Sequence, residues 1–411
     1  MDILQLAKKA KEAENKLRHF SSQNKTEAIL SIAAHLQQRL GEIIAANKQD
    51  IETAQANNLS SAMIDRLTLN EQRVMAMINS AKEIANQEDP AYKIIDSITR
   101  PNGLVVKKQL VPIGVVAMIF ESRPNVVIDA AALAIRSSNI LILKGGKEAH
   151  HSNKKLAEIV IDAITPHLCP NVINMVSSKE EISQLIKLNQ YIDLIIPRGG
   201  EKLVNFIIQN SSIPVIAHNK GLCHTYIHFD ADYDLAEKIA LNAKVQRPGV
   251  CNATETLLIH NKWPSPYISQ IIQAFLTHEV EIRGCPAIQK YDVNIKAASE
   301  DDWNTEYLSK ILSIKIVDSL ENGIAHIQRY GSKHTEAFIG KEKNAIAKFQ
   351  QEIDASCIVI NSSTRFNDGG ELGLGAELGI STNKLHAYGP MGARELTIPR
   401  FVVIGQGQIR K

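Results

Sequence analysis

From residue 104 onward the chain alternates short, continuously apolar runs with stretches of helical periodicity, a pattern that few folds accept. The runs are 113–120 (IGVVAMIF), 139–143 (NILIL), 171–176 (NVINMV), 192–196 (IDLII) and 213–217 (IPVIA), with helix candidates between them at 125–136, 148–164, 179–188 and 201–209. A strand apolar on both faces must be covered on both, and a helix after each strand carries the chain back for a parallel neighbour. The pattern predicts an α/β fold with a doubly wound sheet of the nucleotide-binding type. A second α/β unit follows, with helices at 233–244 and 265–277, a strand in the latter half of CNATETLLIH, and strands near 314–317 and 357–360. Ahead of the sheet, residues 1–90 read as helical, with Ile3, Leu6, Ala7 and Ala10, then Ile29, Ile32, Ala33, Leu36 and Leu40, spaced along one face. Glycines cluster at 369–379, and the tail 396–404 (LTIPRFVVI) reads as an edge strand suited to pairing with another subunit.

Composition removes several classes of function. Hydrophobic residues make up 44% of the 411 and charged residues 22%, as in globular proteins with a packed core. The most continuous apolar run, Val111 to Phe120, is interrupted by Pro112 and Gly114 and falls short of the ~20 residues a membrane helix needs. The N-terminus meets lysines after six residues and has no small-residue cleavage site, so no secretory signal is expected. Lysine and arginine (46) nearly balance aspartate and glutamate (44) with the signs interspersed, which argues against a nucleic-acid partner. Five scattered cysteines without CxxC, and thirteen histidines without HExxH, argue against a disulfide scaffold or a metal site. A cytoplasmic, reduced protein is expected.

Two strand-to-helix junctions set glycines beside cations. LILKGGKEAHHSN (141–153) holds Lys144, Gly145, Gly146 and Lys147; IIPRGGEKLV (195–204) repeats the theme with Arg198, Gly199 and Gly200. Glycine admits a ligand close to the backbone, and a helix N-terminus favours phosphate, so both are candidate sites for a phosphate-bearing cofactor. Neither is a GxGxxG or a Walker loop, and each also reads as a glycine turn with solvated lysines. His150 and His151, and the lysine-rich N-terminal segment, read as solvated faces.

A reactive thiolate needs exposure and positive potential. Cys251, in QRPGVCNATE, sits in a turn set by Pro248 and Gly249 with Arg247 and Lys244 close in sequence. Cys223 beside His224 is its rival, although neighbours on a strand point to opposite faces. Cys169 and Cys285 precede prolines, and Cys357 in CIVI reads as core; a packing role stays open for any of the five. In ESRPN (121–125), Arg123 can bind a carboxylate or phosphate and Asn125 can donate to an oxyanion; alternatively Pro124 opens the next helix and Arg123 is a cap or surface group.

Taken together, the segments 111–149, 197–204, 221–227, 246–260 and 367–392 resemble the gamma-glutamyl phosphate reductases, glutamate-5-semialdehyde dehydrogenases of the aldehyde dehydrogenase superfamily, with QRPGVCNATE the most diagnostic. The resemblance implies an NADP(H)-binding domain (1–96, 112–235 and 361–384), a catalytic domain (236–360) and an oligomerisation flap (97–111 and 385–411). It implies NADPH-dependent reduction of L-glutamyl 5-phosphate to the 5-semialdehyde with release of phosphate, a step from glutamate to proline, through a thioester on Cys251. Asn125 would act with Cys251 in catalysis, Arg123 and Arg247 in substrate binding, and the two basic corners in cofactor binding. A homo-oligomer, and a contact with glutamate kinase that passes on a labile substrate, are implied as well. Hydrolytic relatives carry an acidic residue in a Glu-Leu-Gly-Gly stretch to activate water; the corresponding IAHNKGLC (216–223) has no carboxylate, which disfavours a hydrolytic dehydrogenase and leaves a CoA-acylating one as the competing enzyme. Tyr388 stands where the family usually has arginine, and Ala393 where leucine is commoner. A catalytically silent binding or assembly subunit is the reading from another class, and Tyr388 is its only hint.

Overall fold

The computed structural model describes residues 2–176, 180–217 and 220–410. They form two compact units, one of Met1–Ala217, Gly373–Gly379 and Pro390–Lys411, the other of His218–Leu372 and Ile380–Gly389.

The first unit begins with five helices, α1 (Ile3–Leu17), α2 (Ser22–Gln38), α3 (Leu40–Ala56), α4 (Ser61–Leu67) and α5 (Glu71–Asn86). Asp2 caps α1 by accepting from the Leu4 amide, and Ser21 with Asn24 forms a capping box on α2. Ile3, Leu6, Ala7 and Ala10 are all buried, as their spacing predicts. The lysines of α1 are not uniformly solvated, however. Lys11 lies 2.8 Å from both Glu14 and Asp193, which fastens the helix at Asp193 just ahead of a core strand.

Next come β1 (Ile94–Thr99), β2 (Val105–Pro112), β3 (Val115–Phe120), α6 (Val126–Arg136), β4 (Ile140–Lys144), α7 (His150–Ile164), β5 (Ile173–Val176), α8 (Glu180–Leu185), β6 (Leu194–Arg198) and α9 (Glu201–Asn210). Strands β5-β4-β3-β6 form a parallel sheet in that order, every residue of β3 and β4 is buried, and helices separate the strands. The expected strand at 213–217 shrinks to one parallel bridge between Val215 and Ile195, because Pro214 has no amide to extend the ladder. The expected helix at 179–188 is α8 alone, and residue 179 lies outside the described residues. β1, β2 and the C-terminal strand Thr397–Ile404 form a separate antiparallel sheet. Gly114 makes the corner from β2 into β3 at φ +129°, where a Cβ would lie 2.9 Å from the Asp193 carboxyl carbon.

In the second unit, β7 (Cys223–Ile227), α10 (Tyr233–Val245), β8 (Thr254–His260), α11 (Ser265–Thr277), β9 (Glu281–Gly284), β10 (Lys296–Ala297), α12 (Glu300–Trp303), β11 (Ile311–Val317), α13 (Leu320–Tyr330), β12 (Thr335–Ile339), α14 (Lys343–Glu352) and β13 (Cys357–Ile360) build a seven-stranded parallel sheet. Its order is β10-β9-β11-β8-β7-β12-β13. Side chains alternate across it: Leu257 and Ile259 join Trp263, Ile272 and Phe275 in one core, while Leu258 joins Tyr226, Phe338 and Phe349 in another. Each fully buried side chain of this kind contributes roughly 1.5–3 kcal/mol.

The compact units divide after residue 217, and β7 is hydrogen-bonded on both sides, to β8 and to β12, in the second sheet. Cys357 lies on the edge strand β13 and is only half-buried, so the core position expected for it does not materialise. β12 was not anticipated, since Thr335 and Glu336 interrupt its apolar run.

Candidate active site

Cys251 occupies the turn between the end of α10 and the start of β8, and it is half-buried. Three neighbours fix this turn. The backbone at Gly221 passes so close that a Cβ there would sit 2.5 Å from both Cα and Cβ of Cys251, nearer than real contacts occur, so only glycine fits. The Cys223 thiol donates to the Cys251 carbonyl at 3.1 Å. From the other side, the helical turn Thr364–Phe366 braces Asn252: Thr364 Oγ1 donates to the Asn252 carbonyl at 2.7 Å, and Asn252 Nδ2 donates to the Asn367 carbonyl at 3.0 Å. Beneath it, the Thr254 hydroxyl meets those of Thr225 at 2.7 Å and Thr364 at 3.3 Å.

The two cysteines differ in burial. Cys223 is fully buried, and loss of solvent pushes its thiol well above the ordinary range, so it remains protonated and serves as a donor. As the strand geometry predicts, His224 turns away; its Nδ1 lies 2.9 Å from Glu336 Oε2. The imidazole that does meet the Cys223 sulfur, Nδ1 at 3.6 Å, belongs to His334.

Arg247 is exposed on the same turn as Cys251, so the structure brings these two candidates together. Tyr388 does not reach toward an anionic ligand. Its hydroxyl donates to Asp354 at 2.9 Å, and Lys384 and Lys333 both pair with that carboxylate. The hydrogen bond from Lys384, followed by that from Lys333, holds Asp354 well below the usual carboxylate range. Lys384 therefore supplies a cation at the carboxylate that Tyr388 contacts.

In the first unit, β3 lies between β4 and β6, so the carboxyl ends of all three strands stand side by side. These are the ends that carry ESRPN and the two glycine corners, where an open α/β sheet binds ligands. Two carboxylates stitch them together. Glu121 accepts from the Gly200 amide at 2.7 Å, and Glu148 Oε1 accepts from both the Ser122 amide and hydroxyl at 2.7 Å. Arg198 pairs with Glu377 at 3.3 Å. Glu121 thus answers the N-terminus of α9 and Glu377 the arginine, while at the β4 corner the Glu148 carboxylate lies against Gly146.

There Lys147 is exposed, whereas Lys144 is buried and donates to the Gly145 carbonyl at 2.7 Å. A Cβ on Gly145 would strike the Asn153 amide and lie 3.1 Å from the Phe120 ring. Asn153 itself is 1% exposed with neither amide atom hydrogen-bonded among the described residues. A glycine cradle, an open cation and an unsatisfied amide at the carboxyl edge of a parallel sheet fit a dinucleotide. Asn125 donates one amide hydrogen to Asp129 at 2.9 Å and retains a second; Arg123 is half-buried before α6.

Comparison with known proteins agrees with this architecture. The aldehyde dehydrogenase family profile matches residues 1–286. The chain is 47% identical over 407 residues to a gamma-glutamyl phosphate reductase of Nitratiruptor sp., spanning 98% of this chain and 99% of that protein. It is 45% identical to one of Carboxydothermus hydrogenoformans, over 100% and 99% of the two chains. The crystal structure of gamma-glutamyl phosphate reductase from Thermotoga maritima superposes over the full length of both chains with a TM-score of 0.95 at 38% identity. The chain belongs to the gamma-glutamyl phosphate reductases of the aldehyde dehydrogenase family.

The turn around Cys251 holds one residue that sequence reading passed over. Arg365 donates through Nε to Gln246 Oε1 at 2.9 Å and through Nη1 to Asn252 Oδ1, so it spans the turn on both sides of Cys251. Its only sequence signal is an arginine within the polar segment SSTRFN just before the glycine cluster. Gly221 likewise stood inside IAHNKGLC without a role; His218 and Asn219 of that segment lie outside the described residues.

Proposed function

We propose that this chain reduces L-glutamyl 5-phosphate to L-glutamate 5-semialdehyde with NADPH and releases phosphate, through a thioester on Cys251, as a step in proline formation. The observation that carries the reading is the turn around Cys251, which glycine, thiol and arginine neighbours fix while the cysteine stays accessible. The near full-length likeness to proteins named for this reaction supports it.

The Cys251 thiolate attacks the acyl carbon, and the carbonyl electrons move onto oxygen, where the spare amide hydrogen of Asn125 is the proposed donor. The oxyanion reforms the carbonyl as the C–O bond to phosphate breaks, and phosphate leaves with that electron pair. Arg247, with no ion pair among the described residues, and Arg123 are proposed to hold the substrate's anionic groups. Gly145, Gly146 and Lys147, with Lys144 behind them and the Arg198–Gly199–Gly200 corner alongside, would hold the dinucleotide, which supplies hydride to the thioester. Collapse of the resulting thiohemiacetal returns Cys251 to thiolate. The segment 216–223 offers no carboxylate to activate water against the thioester, and Gly221 of that segment lies against the cysteine.

The test runs the reaction backwards. Semialdehyde with NADP is expected to yield reduced cofactor only when inorganic phosphate is present, with little response to coenzyme A. Turnover indifferent to phosphate, or driven by coenzyme A, contradicts the reading.

We propose also that the chain self-associates through the antiparallel sheet. Each of its edge strands pairs with β2 alone among the described residues, and the sheet exposes Phe401 (70%), Val403 (58%) and Ile98 (51%). Phe401→Asp is expected to lower the assembly's mass in sedimentation while leaving the helical signal in circular dichroism unchanged; an unaltered mass contradicts the assignment. Among the described residues no helix is long and apolar enough to cross a membrane.

A further inference from the structure

We infer that Arg365 is the positioning residue of the nucleophile turn and the cation that holds Cys251 as a thiolate, an inference that rests on Cys251 being the nucleophile. The geometry is that of a staple. The guanidinium Nε donates to Gln246 Oε1 at 2.9 Å on the α10 side, and Nη1 donates to Asn252 Oδ1 on the β8 side. A planar fork can hold two acceptors at fixed separation, which an ammonium on a flexible stem cannot. Both acceptors are neutral amides, and among the described residues no carboxylate forms an ion pair with Arg365. Its charge is thus positioned without being cancelled.

Burial is the largest influence on this guanidinium and disfavours its charge, and Arg247 adds to that; Asp368, Cys251 and Glu371 act in the opposite sense. Cys251 thus lies within electrostatic reach of Arg365, and the attraction is reciprocal: a cation that a thiolate stabilises stabilises the thiolate. Among the described residues, Glu336, Glu306 and His334 meet the turn through Cys223, whose thiol bonds to the Cys251 carbonyl. Arg247 lies on the turn itself, Asp368 and Glu371 follow the 364–366 helical turn, and Cys223 on β7 presents a neutral thiol.

The experiment is the pH dependence of alkylation by iodoacetamide of the intact protein, with the adduct located at Cys251 by peptide mass spectrometry. Arg365→Gln is expected to raise the midpoint by about one unit, as loss of a nearby opposite charge does, and so to slow alkylation about tenfold well below the midpoint. Arg365→Lys keeps the charge and is expected to restore most of the shift. If the arginine only braces the turn, Arg365→Gln alters the rate equally at every pH and leaves the midpoint in place, which overturns the inference. Should Arg365→Gln fail to fold, Gln246→Ala removes one anchor at an exposed residue; a raised midpoint supports the inference and an unchanged one overturns it. No substrate enters this measurement. A chain that fails to reduce glutamyl phosphate can still show the shift, and an active chain without it retains its function and loses this role for Arg365.

Discussion

Cys251→Ser is expected to lower turnover of glutamyl phosphate by about 10⁴-fold or more while leaving the thermal unfolding midpoint within a few degrees of the parent. The loss is large because a serine hydroxyl at neutral pH offers almost no anion to attack the acyl carbon, and the cation beside it cannot offset so high a pKa. The fold is indifferent because the contacts that hold the turn run through the Cys251 backbone and its neighbours: the carbonyl accepts from Cys223, Asn252 is braced by Thr364, and Gly221 lies against the main chain. The check is steady-state turnover beside a thermal melt of the same preparation. Activity within tenfold of the parent would move the nucleophile elsewhere. An unfolded variant would mean that the sulfur is structural.

Gly221→Ala is expected to cut kcat by about 10²-fold with far less effect on cofactor affinity. The added methyl would sit 2.5 Å from both Cα and Cβ of Cys251, and backbone cannot swing aside as a flexible side chain can. The turn must move by a substantial fraction of an ångström, and a displacement near 1 Å at a reacting group is enough to cost about 10²-fold. The overpacking should also destabilise the chain by about 1–3 kcal/mol, read as a lowered denaturation midpoint. Parental kcat in this variant would show that the approach at 221 does not govern the nucleophile.

These two variants mark where sequence reading succeeds and where it stops. The turn that carries Cys251 was legible because Pro248 and Gly249 announce it within a few residues. The strands β3 to β6 were legible because each is apolar on both faces and followed by a helix, a pattern that burial on both sides of a parallel sheet requires. Local pattern does not reveal who arrives from afar. Arg365 reaches Asn252 from 113 positions away, and the contact depends on the Thr364–Phe366 turn following β13, whose register no local spacing specifies. β12 escaped notice because Glu336 breaks its apolar run, and that carboxylate is tolerated in the interior only because His224, opposite it on β7, bonds to it. At the basic corners, glycines and cations at strand-to-helix junctions were visible from local sequence. Glu121, Glu148 and Glu377 had no visible claim on them, yet their carboxylates stand at both corners. The fold follows from residues near one another in sequence, whereas the fine structure of the site follows from pairs brought together only by the sheets.

The most direct measurement is mass spectrometry of the protein acid-quenched within its first turnover of semialdehyde and NADP in the absence of phosphate. Under those conditions acylation can proceed and its release by phosphate cannot. A glutamyl adduct on the peptide carrying Cys251, removed when phosphate is added before the quench, is the predicted result. An adduct on another side chain, or reduced cofactor formed in stoichiometric amount with Cys251 unmodified, contradicts the account.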